Sequence, residues 1–76
     1  MGDAMIETNF RYLPLPYRVS IERLDSSGIR DRRLAHVELR QWCDAYATTY
    51  GLPFDQDHRD YVESATGIAN RRFHLD

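Results

Sequence analysis

The chain opens on a two-residue period and then changes to a helical one. From Tyr17 to Glu22, apolar side chains (Tyr17, Val19, Ile21) alternate with polar ones (Arg18, Ser20, Glu22), the pattern of a half-buried β-strand. Asp25-Ser26-Ser27-Gly28 reads as a turn, with Gly28 free to take a positive φ. Ile29 to Ala35 reads as the returning strand of a hairpin. Arg30, Asp31, Arg32 and Arg33 interrupt its pattern, which suits an edge strand, because charge there blunts edge-to-edge pairing. Ahead of the hairpin, the stretch from Phe10 to Tyr17 carries Pro14 and Pro16 at alternate positions. That spacing predicts an extended arm rather than a helix, packed on the domain's own core or on a sister chain. Ligands of proline-recognising domains need prolines three apart, so a peptide-ligand role is disfavoured.

Past residue 35 the apolar positions shift to helical spacing. Leu39, Trp42, Cys43, Tyr46 and Tyr50 recur at three- and four-residue steps, which predicts a helix over about 36–50. Gly51 fits the position just past its end and Pro53 blocks continuation. Asp55 then reads as an N-cap, with Asp57 in the first turn of a second helix. Tyr61, Val62 and Ala65 form that helix's stripe, and Ile68, Ala69 and Phe73 extend it. Gly67 in mid-helix costs about 1 kcal/mol. The continuous helix is preferred over one ending at Gly67 and followed by a strand through Leu75.

These elements predict an α+β fold: a small single domain in which a β-hairpin packs against two α-helices. A third strand from the arm or from a sister subunit would complete the sheet, since two strands alone are marginal. Residues 1–9 read as a flexible N-terminal lead-in and 10–76 as the domain. At 76 residues the core is small, so a homodimer or a partner-stabilised monomer is expected.

Composition narrows the function classes. Twelve acids and ten bases give a formal charge of −2, which does not favour nucleic acid. All ten bases are Arg, a planar fork suited to bidentate pairing and aromatic stacking. No apolar run approaches the ~18 residues of a membrane span, and Met1 to Met5 lacks the start of a signal peptide. The single Cys43 excludes an internal disulfide framework and a Cys-based zinc cluster. A cytoplasmic protein with no membrane association is the expectation.

No catalytic motif stands out. Cys43 and His36 lie seven residues apart on one helix face, roughly 10 Å along the axis, too far for a nucleophile–base pair. Asp55, Asp57, His58 and Asp60 crowd together, but without the turn glycine and terminal glutamate of a calcium loop. An acidic cap and first turn explain them. No enzyme activity, cofactor or metal is therefore expected.

What remains is an excess of Tyr and Arg, the composition of interface hot spots. The expected partner-binding residues are Tyr12, Tyr17 and Tyr50, with Arg30, Arg32 and Arg33 after the turn and Arg71 and Arg72 near the C-terminus. They predict a non-enzymatic protein–protein interaction module whose partner is a larger protein or nucleoprotein complex. The specific expectation is an anti-CRISPR-like inhibitor, encoded by a phage or mobile element, that sterically blocks a host complex. The alternative is a small nucleic-acid-associated regulator using the hairpin arginines. A third is a subunit that extends another protein's sheet or core.

Overall fold

The computed structural model describes residues 10–75; the expected lead-in over 1–9 lies outside them. Within this span the chain is helical, with no strand. Residues 10–12 form a helical turn, followed by α1 (Leu15–Ser27), α2 (Arg32–Thr49) and α3 (Gln56–Arg72). The expected α+β fold, with its β-hairpin, third strand and extended arm, is thus replaced by a helical bundle.

The reason lies in which period the core selects. Tyr17, Ser20, Ile21 and Leu24 are all buried, and their three- and four-residue steps make one helix face. Val19, which the strand pattern would bury, is only half-buried. The prolines do not oppose this helix. Pro14 is its N-cap residue, with φ −57° and ψ 156°, and Pro16 falls in the first turn, where an amide N–H has no intrahelical acceptor to lose. The buried Ser20 hydroxyl donates to the Pro16 carbonyl at 2.8 Å, so its polarity is satisfied inside the helix. Gly28 does adopt a positive φ, 73°, but as the cap of α1 rather than a hairpin turn. Asp31, expected as an edge-strand charge, is the N-cap of α2 and accepts from the Leu34 N–H at 2.9 Å. That cap starts α2 four residues before the predicted position.

The later helices follow their sequence pattern. α2 ends at Thr49, with Gly51 at φ 75° and the Leu52 N–H on the Ala47 carbonyl at 2.8 Å, the six-to-one bond of a Schellman cap. Asp55 caps α3, accepting from the His58 N–H at 3.0 Å. The helix runs unbroken through Gly67 to Arg72.

α2 runs antiparallel to α3: His36, near its start, meets Asn70, and Asp44, toward its end, meets His58. α1 lies parallel to α3, with Tyr17 beside His58 and Tyr61. This is an up-down-up bundle. Its core is Tyr17, Ile21 and Leu24 from α1, Ala35, Leu39 and Cys43 from α2, and Ala65, Ile68 and Ala69 from α3. Leu13 and Leu75 close it. On its rims, guanidinium groups sit over aromatic rings: Arg23 over Trp42 at 4.7 Å and Arg30 over Phe73 at 4.8 Å.

The C-terminus of α3 carries a backbone cost. The Leu75 N–H reaches the Asn70 carbonyl at 2.9 Å, again a Schellman bond, and the residue that must turn left-handed is His74, at φ 55°. A side chain there costs about 1 kcal/mol that glycine would not. His74→Gly should therefore raise stability by roughly 0.5–1 kcal/mol, read from thermal or urea unfolding. A lower stability would mean that the imidazole makes a compensating contact.

Candidate functional site

His58 is held where all three helices meet. Its N–H is fixed by the Asp55 cap, which places the imidazole under the α2–α3 loop with Phe54 stacked on it at 4.7 Å. Both ring nitrogens are engaged. Nε2 lies 2.7 Å from Asp44 Oδ1, and Nδ1 lies 2.7 Å from the Tyr17 hydroxyl. A carboxylate only accepts, so Nε2 carries the proton and Nδ1 accepts from the Tyr17 O–H. Burial, with Cys43 and Tyr61 close by, pushes the Tyr17 hydroxyl up to about 12 and keeps it a donor. Tyr17 is 1% exposed, so no substrate reaches its oxygen; the relay ties α1, α2 and α3 together.

The seam between α2 and α3 is pinned at its other end by the His36 Nε2–H donating to Asn70 Oδ1. Between the two histidines the helices part. The contact between α2 and α3 is the narrowest of the three helix pairs, and a groove of about 630 Å³ opens along it. Val37, Phe54 and Val62 supply its apolar surface. Arg40, Arg59, Asp44 and Glu63 supply charges of both signs.

A second groove, of about 430 Å³, runs on the opposite flank of α3, beneath the segment that precedes α1. It is lined by Tyr12, Leu13, Tyr61, Ser64, Gly67, Ile68 and Arg71. Tyr12 is 81% exposed at its edge. A Cβ built on Gly67 would meet no atom of the described residues within 4 Å, so none of them requires a glycine at this mid-helix position.

The eight expected partner-binding residues therefore scatter. Tyr12 and Arg71 come together in this groove. Tyr17 is a core residue and offers no surface. Arg32 and Arg33 line a separate shallow hollow with Asp31 and His36 at the start of α2. Arg30 pairs with Asp25 at 3.5 Å and covers Phe73, while Arg72 lies over Phe10 at 4.5 Å. Tyr50 is half-exposed at the end of α2 and lines neither groove. The groove that Arg71 lines holds neither Arg32 nor Arg33.

The other chemistry considered from sequence resolves into structure. Cys43 is fully buried; burial pushes its thiol up to about 11, with the neighbouring Ser20 side chain acting in the opposite, smaller sense. In the acidic segment, Asp55 caps α3 and Asp60 accepts from the Gln56 amide at 2.9 Å. Among the described residues no three His, Cys, Asp or Glu side chains gather as metal ligands. Nor is any described helix long and apolar enough to cross a membrane. Sequence reasoning missed the relay. Its members lie 14 and 41 residues from His58, and no local pattern joins them. The chain matches no protein-family model, no curated protein and no solved structure.

Tyr17 and Cys43 give the fold a defined alkaline limit. Both are neutral when folded, whereas their ordinary values are 10.0 and 9.0. Their stabilising contribution is full below pH 9. It is lost as pH rises through 11 and 12, because the unfolded chain releases protons that the folded chain retains. Urea midpoints measured between pH 8 and 12 should fall across this window, and in Cys43→Ala the fall should begin near 10 rather than 9. An unchanged midpoint up to pH 12 would contradict the burial of both groups. Tyr17→Phe should cost about 1–3 kcal/mol at neutral pH, because Nδ1 of His58 is left buried without a donor.

Proposed function

We propose that the chain is a non-catalytic interaction module that binds a protein partner through the Tyr12–Gly67–Arg71 groove and acts by occupying the partner's surface. Gly67 carries the reading. A glycine inside α3 costs about 1 kcal/mol relative to alanine, and among the described residues no atom lies within 4 Å of where its Cβ would be. A locally unfavourable residue with no internal compensation marks a functional position. At this one, an exposed Tyr and an Arg, two of the residue types that dominate interface energetics, flank a floor of Leu13, Tyr61 and Ile68.

Among the described residues, Arg71 is the charged side chain that lines the groove. The complementary partner segment therefore presents an apolar side chain over Gly67 and a carboxylate to Arg71. Binding of this kind masks the segment from its other uses, which is steric inhibition. In the anti-CRISPR-like case the masked surface is where a nuclease subunit or nucleic acid docks on the host complex. A second reading rests on the same pair of residues: Tyr12 could stack on a base while Arg71 holds a phosphate.

Affinity capture from native-host lysate, with and without nuclease and at two salt concentrations, separates the two. A stoichiometric protein that survives nuclease is expected. Its capture should be lost with Arg71→Glu and weakened at least about tenfold with Tyr12→Ala. Gly67→Ala should move two readouts in opposite directions, raising stability by about 0.5–1 kcal/mol while weakening capture. Retention of partner by all three variants would refute the groove. Recovery of nucleic acid alone, released by salt, would replace the protein-binding reading with the nucleic-acid one.

A further inference from the structure

We propose that the α2–α3 groove is the interface with a second copy of this chain, related by a two-fold axis. The face differs from the one assigned above. At 100° per residue, Arg59, Val62 and Thr66 leave one flank of α3 and Ser64, Gly67 and Arg71 leave the other.

Three features of the face select a second copy as its occupant. The first is exposed apolar surface. Leu34, Val37 and Phe54 are 48%, 53% and 57% exposed, and none belongs to the side chains packed on the core. Val37 and Phe54 line the groove, and Leu34 lies one helical turn before Val37 on the same helix.

The second is shape. Leu34, Val37 and Gln41 form the outer ridge of α2, directly beside the groove. A two-fold interface is made by one patch meeting itself, so that patch must hold both a projection and a recess. Here the ridge of each copy can lie in the groove of the other. From Leu34 to Asp44 the ridge is ~15 Å long, enough for two helical turns to interdigitate.

The third is charge. The groove carries Arg40 and Arg59 against Asp44 and Glu63. A patch carrying both signs can set its own arginines against its image's carboxylates, and this one has two of each. A partner of one charge, nucleic acid included, would find two like charges opposing it. The dimer is expected to dissociate in the micromolar range.

Sedimentation equilibrium of the full chain, from about 10 μM to about 1 mM, tests the proposal across the range in which such an interface dissociates. The mass should climb from 9.0 kDa toward twice that value. Val37→Glu should weaken association at least about tenfold, and Arg40→Glu with Arg59→Glu should abolish it, because an all-acidic patch repels its copy. Circular dichroism checks that these surface variants keep their helix content. Leu15→Glu, exposed at the start of α1 and outside the groove, should associate like the parent chain. A constant mass of one chain up to 1 mM would overturn the proposal. So would association that the groove variants leave unchanged, which would place the contact elsewhere. Neither result bears on partner capture by the Tyr12–Arg71 groove, which its own variants decide.

Discussion

A buried histidine with both ring nitrogens engaged is the join on which this bundle depends. His58 gives its Nε2 proton to Asp44 of α2 and takes the Tyr17 proton of α1 at Nδ1. It is itself anchored in α3 by the Asp55 cap. A domain with so few large aliphatic side chains in its core (Ile21, Leu24, Leu39 and Ile68 are the main ones) gains from a contact that also specifies geometry. Removing any member leaves a buried polar atom unsatisfied, at more cost than the bond itself contributes. The relay fixes the relative heights of the three helices, which apolar packing alone leaves free to slide.

How much of this was legible depended on whether one period or two fitted a segment. α2 and α3 carry apolar positions that only a helix can place on one face, and Asp55 and Gly51 mark their ends in the expected way. From Tyr17 to Leu24, both periods fit. Tyr17 and Ile21 belong to a strand face and to a helix face alike, and only Leu24 and the buried Ser20 decide for helix. The spacing of Pro14 and Pro16 predicts an extended arm, yet both sit at the start of a helix; the difference is position, since proline is harmless in a first turn. Asp31 carried the cap signal of α2, hidden in a run of arginines. Of the expected binding residues, Tyr12 and Arg71 share a groove. Tyr17 does not, because exposure cannot be read from residue type. The relay needed tertiary contacts that no spacing encodes.

The two flanks of α3 differ in a way that bears on use. One groove is pinned at both ends by histidine hydrogen bonds and carries balanced charge. The other has an aromatic edge at Tyr12, a floor of Leu13, Tyr61 and Ile68, and the cation of Arg71. A single 17-residue helix thus presents two chemically distinct faces, and its third side holds the core. Both faces are helical, so neither presents a sheet edge.

The distance along the chain between Tyr17 and His58 has a kinetic meaning. The Tyr17–His58 bond spans 41 residues, whereas Asp44 and His58 lie 14 apart. Closure entropy grows with the logarithm of loop length, so the longer contact costs about 1 kcal/mol more to close than the shorter one. By that margin the relay favours joining the second helix to the third before the first is added.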